Sequence, residues 1–164
     1  MNRMSSFSEL FAKERSTVIL YNDKQIFLNH HIPVHDREEF RVIFQRRWGH
    51  VKQGIIIQLL KKSSSLSIDG KDYRVPVELW EDHSPKVVNI FVNVHGTDEL
   101  IVYNVWEAKD HRGTKYTASG GSWGGMMVEQ VSDDYRYKCN YESDAAFDDL
   151  MFRIERVEPN KKTR

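Results

Sequence analysis

Apolar and polar residues alternate along much of the chain, interrupted by three stretches at helical spacing. In "STVILYNDKQIFLNHHI", two β-prone runs flank Asn22-Asp23 and predict two strands joined by a turn. "SLSIDGKDYRVPVEL" predicts a second hairpin about Asp69-Gly70. Beyond that turn Tyr73, Val75, Val77 and Leu79 alternate with polar residues, and Pro76 points to a sheet edge. "KVVNIFVNV" and "ELIVYNVWEA" flank "HGTD" and predict a third, more central hairpin, apolar on both faces. Three successive isoleucines in "GIIIQLL" favour a buried strand. Shorter strands are expected about Tyr116, from Met126 to Val131 and from Tyr135 to Cys139.

The helical stretches come at the start, after residue 35 and near the end. "SSFSELFAK" offers Ser6 and Glu9 as a capping box for a short leading helix over about residues 6–14. "DREEFRVIFQRRWG" predicts a helix begun by Asp36 and Glu39. Phe40, Ile43, Phe44 and Trp48 form its apolar face, Arg46 and Arg47 suit its last turn, and Gly49 stops it. "SDAAFDDLMFRIERVE" predicts a closing helix with Phe147, Leu150, Met151, Ile154 and Val157 as one stripe. Acids lead it, Arg153 and Arg156 follow, and Pro159 lies beyond. The expected fold is α+β: a largely antiparallel sheet, a meander of hairpins, with an early helix and a C-terminal helix packed on it. No linker or repeat divides residues 1–164, so a single domain is expected, with a disordered tail over 159–164.

Composition narrows the setting. The 164 residues suit one ordinary domain. The one cysteine, Cys139, excludes an internal disulfide and has the surroundings of a buried strand residue. No apolar run is long enough for a signal peptide or a membrane span, so the expectation is a cytoplasmic protein with no membrane partner. Lys and Arg balance Asp and Glu, without the basic excess of a dedicated nucleic-acid binder. The balance is uneven: residues 37–62 carry seven Lys/Arg and residues 129–149 seven acids, which suggests two different surfaces.

Four motifs invite chemistry. In "ASGGSWGGMMVEQ", Gly120, Ser122 and Gly124 have the spacing of a serine-hydrolase elbow, but all seven histidines precede Ser122, so the order Ser, Asp/Glu, His fails. The same loop has no Gly-Lys-Ser/Thr to cradle a phosphate. His30, His31, His35 and Asp36 crowd together, but Pro33 breaks a helical ligand pair and no second cluster completes a metal site. Glu107-x-Lys109, with Asp98 in the preceding turn, is similar to nucleases of the PD-(D/E)xK type. There carboxylates hold a divalent ion and the lysine orients the attacking water. A metal-dependent nuclease is therefore one alternative. A single-stranded nucleic-acid binder using the basic run from Arg41 to Lys62 is another, although its Phe44 and Trp48 fall on the apolar side.

The most suggestive surface is acidic and aromatic. Asp133, Asp134, Tyr135, Tyr137 and Tyr141 interleave near the end of the chain, Trp80, Glu81 and Asp82 repeat that chemistry in a loop, and Trp123 precedes it. Tyrosine and tryptophan give interface area at small entropic loss, and acids steer a basic partner. No cofactor or catalytic residue is implied.

The early hairpin "TVILYNDKQIFL", the helix "DREEFRVIFQRRW", the hairpin about "HGTD" and the acidic helix "SDAAFDDLMFRIERV" together resemble, in architecture, immunity proteins of bacterial polymorphic-toxin and contact-dependent growth inhibition systems. The resemblance implies a small cytoplasmic inhibitor that masks the active or substrate-binding site of one cognate toxin domain and does no chemistry.

Overall fold

The computed structural model describes residues 6–47, 51–120, 123–141, 147 and 149–158. The leading helix α1 (Phe7–Glu14) forms as expected. The Ser6 side chain accepts from the Glu9 amide at 3.3 Å, and Arg15 closes the other end at φ 51°. The strands that follow are β1 (Val18–Tyr21), β2 (Lys24–Phe27), β3 (His30–His35), β4 (Glu39–Arg47), β5 (Gln53–Leu59), β6 (Ser65–Ile68), β7 (Lys71–Tyr73), β8 (Val77–Trp80), β9 (Val87–Asn93), β10 (Thr97–Lys109), β11 (Lys115–Ala118), β12 (Gly125–Val131), β13 (Asp134–Asn140) and β14 (Leu150–Val157). The protein is chiefly antiparallel sheet with one short helix among the described residues.

Nine strands form one sheet in the order β1-β2-β12-β13-β14-β4-β9-β6-β7. A second sheet runs β11-β10-β5-β8, with β3 also paired to β10. The two share one core. Phe40, Val42 and Phe44 of β4, Tyr137 and Cys139 of β13, and Phe152 and Ile154 of β14 belong to it from the larger sheet. Ile55 and Ile57 of β5 with Leu100 and Val102 of β10 belong to it from the smaller. In β4, β9 and β14 buried positions alternate with more open ones, as a face-to-face sandwich requires, whereas β5 is buried at five successive positions. A second cluster, Phe7, Phe11, Ile19, Ile26 and Phe147, lies under α1.

Two predicted hairpins stand. Asn22 and Asp23 both adopt positive φ between β1 and β2, and Asp69 and Gly70 do so between β6 and β7, as a two-residue turn of matching twist demands. Three expectations are corrected. The segment 36–48 is not a helix: residues 39–47 are β4, with Phe40, Val42 and Phe44 buried in alternation. Asp36 caps no helix; its Oδ1 accepts from the Val94 amide at 3.0 Å, and Arg37 at φ 64° turns the chain into β4. The C-terminal helix is also a strand, β14, which buries Leu150, Phe152 and Ile154. These two segments pair with each other at the middle of the larger sheet, with a bulge at Met151/Phe152. The flanks "HGTD" joins are not a hairpin. β9 pairs with β4 and β6 while β10 pairs with β3, β5 and β11, so the turn containing Gly96 carries the chain from one sheet to the other. Trp48, Gly49, Ser122, Glu142, Asp144, Asp148, Pro159 and the tail 159–164 lie outside the described residues.

Candidate binding surface

The acidic, tyrosine-rich segment becomes β13, and its alternation divides it. Tyr135, Tyr137 and Cys139 face the core. Tyr137 is 1% exposed and stacks on Phe152 at 4.4 Å, so it offers no area to a partner. Its hydroxyl lies 2.8 Å from His30 Nδ1, inside a box completed by Phe27 and Tyr135. Burial there, with His31 nearby, lowers the His30 pKa to about 4, and burial raises the phenols of Tyr135 and Tyr137. Burial likewise pushes the Cys139 thiol up, as an inert strand cysteine requires.

The acids do not form one patch. Asp133 and Asp134 turn from β12 into β13, and Asp134 Oδ1 accepts from the Arg156 amide at 3.1 Å. Glu81 sits at the other end of the sandwich, where Arg47 pairs through Leu150 with Cys139. The span of β13 from Asp134 to Cys139 is about 17 Å at roughly 3.3 Å per residue. Tyr141 belongs to the Glu81 end, its ring 6.0 Å from that of Trp106. Trp123 is half-buried as a lid on the α1 cluster, edge-on to Phe7 at 4.9 Å, and its carbonyl accepts from Asn140 Nδ2 at 2.8 Å.

What remains is the Trp80 end of the smaller sheet. Leu79 points into the core, so Trp80 stands on the outer face, where it pairs with Gly54 of β5. Its ring is held on two sides. Lys52 Nζ lies 4.8 Å from the ring centroid, and the indole Nε1 donates to Glu78 Oε2 at 3.1 Å. Lys52 leads on to an open cleft of about 540 Å³ that includes Trp106, Glu107, Lys109, Lys115 and Tyr116. The Glu81 amide donates to the Gln53 carbonyl at 2.9 Å and Asp82 is 3.7 Å from His83. Sequence reasoning missed Lys52 as the partner of Trp80, because no short-range spacing joins them.

The nuclease-like residues do not converge. Asp98 and Glu107 lie at opposite ends of β10, about 30 Å apart along an extended strand. The Asp98 carboxylate is buried and accepts from Ser64 Oγ at 2.6 Å, the Lys61 amide at 3.2 Å and the Glu99 amide at 2.6 Å. Glu107 pairs with Lys115 at 3.5 Å, and Lys109 is exposed at the end of β10. The histidines also separate: His31 bonds Glu99 and Asn29, while His35 pairs with Glu38. Among the described residues no three His, Cys, Asp or Glu are grouped to hold a metal ion. No helix of the described residues is long and apolar enough to cross a membrane.

Fold and surface together define a two-sheet antiparallel protein with a braced aromatic residue on an open sheet face. In comparisons with protein families, curated proteins and solved structures, the chain matches none.

Proposed function

We propose that this protein is a non-catalytic protein-binding module, an immunity-type inhibitor that holds a cognate bacterial toxin domain against its Trp80 end. One observation carries this reading: Trp80 is an anchor already fixed in place by Lys52 and Glu78, with Asp82 and the Arg47–Glu81 pair beside it. Aromatic side chains in preset positions dominate binding energies, because little freedom is left for the partner to remove. Of the four elements behind the resemblance, the early hairpin alone folds as expected, so the proposal rests on this surface rather than on architecture.

The test is growth rescue. A toxin domain encoded beside this chain is expressed with and without it. Wild type restores growth and co-purifies with the domain, whereas Trp80→Ala loses about 2 kcal/mol or more of binding while remaining folded. Absence of such a neighbouring toxin domain, or unchanged binding in Trp80→Ala, would defeat the proposal.

A further inference from the structure

The outer face of the nine-stranded sheet carries a groove of about 470 Å³, on the side of the sandwich away from Trp80. Alternation builds it. Tyr137 and Phe152 point into the core, so Arg136, Lys138, Met151 and Arg153 point out. Arg136 and Arg153 are directly opposed on β13 and β14, and Lys138 is opposed to Met151 one step along the same face. Like charges so placed destabilise a sheet. Neighbouring acids offset this in part: Glu129 lies opposite Arg136, and Glu155 meets Arg153 Nη2 at 3.3 Å. Arg153 Nε is nevertheless buried with no hydrogen-bond partner among the described residues. A buried donor left unmatched is costly, and an anion bound over the two guanidinium groups would relieve the repulsion between them.

We propose that this groove binds a free nucleotide, its phosphate held by Arg136, Lys138 and Arg153 and its base against Met127 and Met151. Two guanidinium forks beside an ammonium suit the several oxygens of a phosphate, with bidentate geometry that a single carboxylate would satisfy at one fork only. The methionine thioethers line the same groove and make favourable contacts with flat aromatic rings; Gln45 adds an amide for the base edge. The volume lies in the range of small-molecule sites.

Calorimetric titration of the full chain with AMP, inorganic phosphate, a hexaglutamate peptide and oligothymidylates tests this. AMP is expected to bind, and phosphate to compete with it more weakly. Arg136→Gln, Lys138→Gln and Arg153→Gln should each weaken AMP about tenfold, the loss of one charged hydrogen bond. Arg41→Gln, on the same face outside the groove, should leave binding intact. Circular dichroism identifies which variants are folded, and any one folded groove variant suffices. No binding of AMP at millimolar concentration, or binding unaltered in the folded groove variants, overturns the proposal. Equal affinity for hexaglutamate overturns it in favour of an acidic protein partner. Displacement of AMP by oligothymidylates, tighter with each added nucleotide, overturns it in favour of a nucleic-acid strand.

Discussion

Arg47 and Glu81 tie the two sheets together, the guanidinium Nε donating to Oε2 at 2.7 Å. Arg47 Nη1 also donates to the Val51 carbonyl at 3.1 Å. Arg156 makes the matching tie at the opposite end: it pairs with Glu38, donates to the Pro33 carbonyl at 3.1 Å and lies over Phe40 at 4.9 Å. Both members of the Arg47–Glu81 pair retain more than a quarter of their side-chain exposure, so solvent screens it in part. Glu81→Ala is therefore expected to cost about 1–2 kcal/mol. The measurement is a lower urea midpoint with unchanged slope. A double-mutant cycle with Arg47→Ala should return a coupling of about 1 kcal/mol.

His30 should make stability fall in mild acid. Its pKa drops from 6.5 in the unfolded chain to about 4 in the fold, first through burial and then through His31. The fold therefore favours the neutral ring. Its contribution is complete above pH 6.5, declines below that, and is fully lost once pH has fallen through 4. The ceiling is about 3 kcal/mol, at 1.36 kcal/mol per unit. Urea midpoints at pH 7, 5.5 and 4 should show this extra slope in wild type, and His30→Gln should lack it.

Gly124→Ala should destabilise the fold where Gly70→Ala adds turn strain alone. A Cβ on Gly124 would lie 1.7 Å from the Gly120 carbonyl oxygen and 2.7 Å from the Trp106 ring. At Gly70 the space is open, and the obstacle is φ 76°. Expected losses are about 3 kcal/mol for Gly124→Ala and about 1 kcal/mol for Gly70→Ala. Thermal melts of the two variants check the order.

Asp98→Ala should loosen the loop before β6. The carboxylate gathers Lys61, Ser64 and Glu99 around one buried point, and its removal strands their donors. A loss of about 3 kcal/mol is expected. Amide exchange should accelerate first at Lys61.

The chain announces its local structure better than its long-range partners. Ser6, Asn22-Asp23 and Asp69-Gly70 act within a few residues, and each forms as the sequence indicates. The segment 39–47 supports two readings. Phe40, Ile43 and Phe44 fit a helix, while Phe40, Val42 and Phe44 fit a strand. Neighbours β14 and β9 decide it, and they come from roughly 110 and 50 residues away. Likewise Phe152, outside the helical stripe, is a central core residue, 0% exposed. The candidate surface was half legible. Trp80 closes strand β8, half-buried on its outer face rather than standing in a loop, and Tyr135 and Tyr137 turn inward by a period of two that "DYRYKC" already displays. That same period sets Arg136 and Lys138 outward. The tie from Glu81 to Arg47 depends on how the sheets stack, which no local pattern encodes.

The pairing of β14 with β4 has a consequence for synthesis. The larger sheet acquires its middle strand last, after every other described strand of the sheet has been made. Until then β4 and β13 are two raw hydrogen-bonding edges flanking a gap, and closing it waits on contacts of high sequence separation. A nascent chain stalled before Leu150 should therefore be a chaperone client and prone to aggregate. Its release should depend on eight residues, Leu150–Val157, rather than on slow growth of the fold.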